Sequence, residues 1–458
     1  MKIFSVSANT LLPLIILIVQ LFFSGSPLYA QNPVLNNSEG ERIALVGGTL
    51  IDGSGAPPIE NTVLLIDGER IAGVGQMGIL RVPDDYRVIS TEGRTVMPGL
   101  WDMHVHLLYA GHTNNRYWHE NYTSRFAEDI MPATALQLLQ AGVTSARDLG
   151  APPESVFLIR QQIENGEILG PTIYAAGPQL TPQPPEWAQY YRRNIAGQTN
   201  ATTQARALVE LQADVLKVSN AEGLSVDDVS TVTGIAHSQG LLVTAHGRTD
   251  AEIEIGLAGG IDEFQHIGTG SETFPANLIQ QIESRIASGS NLYWTPTIGL
   301  QLRVGTAKED RELLDDPENY LGLPANVAAD IRNSLLNYDP APAATHIIKT
   351  KISQLQAAGV TLLLGTDGGL SGNPHAQGMW QEMRAWVEEL NMDPMTTIYS
   401  ATGLAAQVMG MDEQVGTLTA GKIADVIVVN GNPLLDMGVL RNPELVIKNG
   451  SIVFGEIR

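Results

Sequence analysis

The chain has 458 residues, 43% of them hydrophobic, with 46 glycines and no cysteine. That length allows a large barrel plus a second, smaller domain, and the lack of cysteine excludes disulfides, thiolate metal sites, a cysteine nucleophile and a lipidated cysteine anchor. Its 49 acidic against 27 basic residues give a net charge of −22, a balance that opposes binding to nucleic acid or to an anionic membrane surface.

In chain order, the first feature is the apolar run LLPLIILIVQLFF (Leu11 to Phe23), which follows Lys2 and precedes the small, polar SGSPLYA. This is the pattern of a signal peptide over residues 1–30. The run falls short of the roughly 20 residues needed to cross a bilayer, so no stable membrane span is expected after cleavage. An exported protein, periplasmic or extracellular, is the expectation. Residues 31–41 read as a polar linker.

Residues 42–96 carry short alternating segments, IALVGGTLIDGSG, NTVLLIDGERIAGVG and RVISTEGRTVMPG, which read as hairpins of a small sheet with DG and EG turns. A similar texture returns over 411–458 in VGTLTAGKIADVIVVNG and ELVIKNGSIVFG. Two β-rich ends predict one β-sandwich assembled from both termini. Between them, residues 97–410 alternate strand and helix. The predicted strands are GLWDMHVHL, VTSARDLG, TIYAAGP, DVLKVSN, LLVTAHG, DEFQHIG, LYWTPT and TLLLGTDGG, with amphipathic helices such as PATALQLLQAG and ESVFLIRQQIENG among them. Eight apolar strands alternating with helices predict an α/β fold of the (β/α)₈ TIM-barrel type, although an open doubly wound sheet has the same local periodicity.

The chemistry gathers at the strand ends. His104 and His106 lie one residue apart in DMHVHL, so on a strand both imidazoles share a face. The fourth strand carries Lys217, the fifth His246, the sixth His266 and the eighth Asp367. Each has an ordinary explanation alone, as a satisfied core histidine, a turn cap or an ion pair. In a parallel barrel, however, all six would meet at the one face where catalytic groups collect. Lys217 is the odd member, because an ammonium repels cations; as a neutral amine it can take up carbon dioxide and become an anionic oxygen ligand.

These residues, in DMHVHL, ADVLKVSN, VTAHG, EFQHIG and LLGTDGG, resemble the amidohydrolase superfamily, and specifically its imidazolonepropionase-related branch with metal-dependent Xaa-Pro dipeptidases (prolidases). VMPGLWDMHVH, ATGLAAQVMG and VGTLTAGKIADVIVVNGNPL agree, and the resemblance runs from about Arg42 to the end. It implies a binuclear site: His104, His106 and Asp367 on one divalent ion, His246 and His266 on the other, and carboxylated Lys217 bridging them. Nitrogen and oxygen donors favour zinc. The implied reaction is hydrolysis of the amide bond of a dipeptide or N-acyl amino acid, with Asp367 as proton carrier. A cyclic amide, lactone or aromatic-amine hydrolase is the alternative on the same site. A catalytically silent binding protein is the alternative of another class, and a homo-oligomer is expected.

Substrate contacts are assigned to His375, in GNPHAQGMW, and to Arg147 and Tyr174. Arg147 suits a substrate carboxylate, although an ion pair with Asp148 or another acidic partner explains it better. His375 is read either as a substrate contact or as a support for the loop around Asp367. His112 and His119, in the loop after the first barrel strand, are further candidates for the pocket wall. No Walker loop, G-x-S-x-G elbow or complete HExxH occurs.

Overall fold

The computed structural model describes residues 41–303, 315–336, 338 and 344–457. The expected leader and residues 31–40 of the expected linker lie outside them. Among the described residues no helix is long and apolar enough to cross a membrane.

Six strands come first: β1 (Arg42–Val46), β2 (Thr49–Leu50), β3 (Thr62–Asp67), β4 (Arg70–Gln76), β5 (Arg87–Ser90) and β6 (Arg94–Pro98). β3 and β4 form the expected hairpin, with Asp67 opposite Arg70. The other two expected hairpins do not form. β1 and β5 lie in one sheet and β2 and β6 in another, so the chain changes layer at Gly47-Gly48 and again at Thr91–Gly93. The two crossings brace each other: Thr91 N–H donates to the Val46 carbonyl (2.8 Å), and Gly48 N–H donates to Thr91 Oγ1 (3.0 Å). A Cβ on Gly48 would stand 2.7 Å from that Oγ1, so the close approach demands glycine. A turn pair marks where a strand ends, not which sheet receives the next one.

The strands of the middle region are β7 (Leu100–Val105), β8 (Val143–Asp148), β9 (Thr172–Ala175), β10 (Gln179–Thr181), β11 (Arg192–Asn194), β12 (Val215–Val218), β13 (Leu242–His246), β14 (Glu263–Gln265), β15 (Tyr293–Thr295) and β16 (Thr361–Leu362). β7, β8 and β9 pair in parallel, as do β10 through β16. Backbone hydrogen bonds join the two groups into a cylinder. On one side Asp214 N–H donates to the Ala175 carbonyl (3.0 Å). On the other, Met103 N–H donates to Leu364 (3.1 Å) and Asp367 N–H to His104 (2.8 Å). All eight predicted strands are present, each buried on both faces, which is why they read as continuous apolar runs.

The chain ends with β17 (Val426–Asn430), β18 (Leu445–Lys448) and β19 (Ser451–Gly455). These join β6 and β2 in a five-stranded sheet of order β19-β18-β17-β6-β2, facing a four-stranded sheet of order β4-β3-β1-β5. Ile43, Leu45, Leu64 and Ile66 from one sheet pack with Val96, Val426, Val428 and Ile447 from the other in a single apolar core. The layers come from both chain ends, as the composition of those ends predicts.

Candidate metal centre

The barrel brings all six predicted ligands to its C-terminal rim and buries them. Exposure is 0% for Lys217 and at most 6% for the others, the largest being His246. His104 Nε2 and His106 Nε2 lie 3.3 and 3.4 Å from Asp367 Oδ1, and His266 Nδ1 lies 3.7 Å from Oδ2. The His104 and His266 ring centres are 4.9 Å apart and those of His246 and His266 5.1 Å. One ligand atom from each of His104, His106 and Asp367 fits within 4.8 Å of the other two.

The rings are aimed by their other nitrogens. His104 Nδ1–H donates to Gln265 Oε1 (2.7 Å), and Gln265 is itself held by Nε2–H donation to Thr244 Oγ1 (2.7 Å). His106 Nδ1–H donates to the Gly150 carbonyl (3.3 Å) and His266 Nδ1–H to Thr297 Oγ1 (2.9 Å). The Gln265 and Gly150 oxygens, which can only accept, fix the tautomers that leave Nε2 of His104 and His106 free as ligands, and Thr297 orients the His266 ring. Lys217 Nζ is buried here without a hydrogen-bond partner, and Asp367 Oδ1 has only the imidazole nitrogens of His104 and His106 beside it. Orphaned buried polar groups are costly and rare, and a ring of nitrogens and a carboxylate around them fits divalent cations.

The protonation states agree. Burial, first of all, holds His104, His246, His266 and Lys217 well below their ordinary values, favouring neutral imidazoles and a neutral amine with lone pairs available. Burial alone would raise the Asp367 carboxyl, but His104 and His106 beside it keep it well below the usual carboxylate range.

The backbone at the rim is strained. His266, Thr297 and Asp367 have φ of 70°, 50° and 57°. The left-handed region costs a non-glycine residue about 1–3 kcal/mol, and it is least expected of a β-branched one. Two braces hold these turns. Asp102 Oδ1 accepts from His104 N–H (3.1 Å) and Thr366 N–H (3.0 Å), tying β7 to the segment after β16; burial pushes its carboxyl up to about 7. Glu382 accepts from the backbone of Ile298 and Gly299 and from Trp386 Nε1, fixing the turn that carries Thr297. Thr297→Val keeps the branched side chain and removes the acceptor for His266. It is expected to weaken metal binding about 10–100-fold, measured by competition with a chromophoric chelator, while Thr297→Ser stays near wild type.

The three predicted substrate contacts lie elsewhere. Arg147 is fully buried; its guanidinium donates to Glu263 (2.6 Å) and to the Met103 carbonyl (2.8 Å), so the ion-pair explanation prevails. Breaking such a buried pair with Arg147→Met is expected to cost about 3–5 kcal/mol, read from urea unfolding. Tyr174 stacks on Trp101 at 5.1 Å in an apolar cluster with Leu363 and Ala405, away from the cavity. His375 is 1% exposed and its Nε2–H donates to the Tyr109 carbonyl (3.1 Å). A Cβ on Gly368 would meet its ring at 2.8 Å, so His375 supports the loop around Asp367. His119 is enclosed by Tyr109, Tyr190 and Tyr191.

A cavity of about 540 Å³ opens over His266 and Asp367, with Arg248, Thr297, Leu300 and Leu370 among its walls. Arg248 and Thr297 are absent from the sequence reading. Arg248 was within reach of it, two residues beyond His246 in TAHGRTD; nothing in TPT signals a left-handed threonine.

Residues 95–453 match the family described as Amidohydrolase family. The chain is 25% identical to an ochratoxinase of Aspergillus niger, covering 90% of this chain and 86% of that protein. It is 22% identical to an imidazolonepropionase of Flavobacterium psychrophilum, covering 81% and 86%. The crystal structure of a Xaa-Pro dipeptidase with bound methionine in the active site superposes with a TM-score of 0.68 at 22% identity, covering 91% of this chain and all of that one.

Proposed function

Since this chain belongs to the amidohydrolase family, we propose that it is an exported hydrolase using two divalent metal ions to cleave the amide bond of a dipeptide or an N-acyl amino acid. One observation carries the reading: six side chains from five separate strand ends converge, with Lys217 Nζ buried and without a hydrogen-bond partner among four imidazoles and the Asp367 carboxylate. His104, His106 and Asp367 would hold one ion and His246 and His266 the other. Lys217 would bridge them as a carbamate, formed when its neutral amine adds carbon dioxide and releases a proton. The donor set, nitrogen and oxygen without thiolate, favours zinc.

When bound, the metal pair would supply an acidified water and a polarised scissile carbonyl. The chain's own part is positional and protonic. Asp367, kept ionised by its imidazole neighbours, accepts the proton of the attacking water and returns it to the leaving nitrogen. The apolar walls, Leu300 and Leu370, shield the reacting amide from bulk water. The relatives named as an ochratoxinase and a Xaa-Pro dipeptidase support a substrate of this size, and the apolar segment Leu11–Phe23 supports export.

Metal quantification on the purified protein, followed by a hydrolysis screen over Xaa-Pro and other dipeptides, N-acyl amino acids and lactones, tests the proposal. The expected result is about two ions per chain and free amino acid released from an amide substrate. Lactone opening alone, or a metal-replete protein inert toward every amide, would overturn it.

A further inference from the structure

The geometry points to Arg248 as the residue that selects anionic substrates, its guanidinium binding a carboxylate on the ligand that fills the cavity. The identity of that ligand, an amino acid joined through the scissile amide, rests on the hydrolytic reading above; the binding itself does not.

Arg248 follows β13 by two residues and lines the cavity beside His266 and Asp367. It is the only arginine or lysine among the described lining residues. Its side chain is exposed, and its guanidinium has no hydrogen-bond or ion-pair partner among the described residues. Elsewhere in this acidic chain Arg42, Arg87, Arg94, Arg125, Arg147 and Arg160 each hold a carboxylate. What sets Arg248 apart is its place on the cavity wall, where an exposed guanidinium in no ion pair is available to a carboxylate from solution.

The backbone beneath it is fixed. Arg248 N–H donates to Glu252 Oε2 (2.8 Å), the side chain that also closes the capping box of helix Asp250–Gly259. The next strand-end loop packs directly on it: a Cβ on Gly268 would lie 1.6 Å from the Arg248 carbonyl oxygen, so only glycine fits there. Lys351 Nζ donates to the Gly268 carbonyl (2.7 Å) and pins that loop in turn. A rigid base under a free, charged head is the build of a binding residue. Leu300 and Leu370, half-buried in the walls of the same cavity, would take the apolar part of the ligand.

The test is calorimetric titration of the full chain with N-acetyl-L-phenylalanine and with its neutral C-terminal amide. It is run on the protein as isolated and again after chelation, so that no metal serves as the carboxylate's partner. Wild type should prefer the acid about 10–100-fold, the scale of a charge-assisted pair. Arg248→Met should abolish the preference, and Arg248→Lys, which keeps the charge but loses the fork, should retain part of it. Equal affinity for acid and amide, no measurable affinity for either, or a preference that survives in Arg248→Met overturns the inference. Acid-selective, Arg248-dependent binding without hydrolysis by metal-loaded protein would instead sink the functional reading and leave this one standing. Hydrolysis without acid selectivity would do the reverse.

Discussion

Asp367→Asn is expected to lower kcat by about 10²–10⁴-fold, the scale of a lost general acid–base group, with the fold and most of the metal content retained. The substitution is chosen for its backbone as much as its chemistry. Asp367 sits at φ 57°, and asparagine is among the few residues that tolerate the left-handed region. Its N–H, which helps close the barrel by donating to the His104 carbonyl, is untouched. An amide oxygen can still face His104 and His106 but cannot carry a proton from water to a leaving amine. The measurement is steady-state kinetics alongside metal analysis and a thermal unfolding curve. A variant with full metal content, an unchanged unfolding midpoint and near-wild-type turnover would remove Asp367 from the proton path.

Most of the centre was legible because a parallel barrel makes local pattern and global placement agree. Each ligand follows a short apolar run, and such a run in a (β/α)₈ fold ends at one common rim. His104 and His106 needed only the two-residue period of a strand. What stayed hidden depends on contacts between segments far apart in the chain. Arg147 and Arg248 both follow an apolar strand core, yet Arg147 meets Glu263 inside the barrel while Arg248 stands beyond the strand end, its guanidinium in no ion pair among the described residues. Their difference is one of depth along the cylinder, which the pattern of apolar residues does not encode. The layer changes at Gly47-Gly48 and Thr91–Gly93 are likewise invisible to alternation, since a strand looks the same in either sheet. The left-handed φ of Thr297 contradicts its local preference and is imposed by Glu382 gripping the following turn, as happens where function overrides propensity.

Replacing Lys217 should move stability in opposite directions with and without metal. In the metal-free chain its amine is fully buried and unpartnered, a desolvated polar group that stabilises nothing. Lys217→Met, similar in volume and apolar, should therefore leave the metal-free protein as stable as wild type or raise it by about 1–3 kcal/mol. Zinc with bicarbonate should then stabilise wild type strongly, because a ligand that binds only the folded state adds RT ln(1 + [L]/Kd). The variant, lacking the amine that forms the bridge, should gain much less and should not respond to bicarbonate. Turnover should fall with it by about 10²–10³-fold, corresponding to roughly 3–4 kcal/mol of lost transition-state stabilisation. A merely structural lysine would give the contrary result: the metal-free variant would melt earlier, and the increment from zinc would match wild type. Thermal unfolding of both proteins, stripped and reloaded in carbon-dioxide-free and bicarbonate-containing buffer, separates the two roles without reference to any substrate.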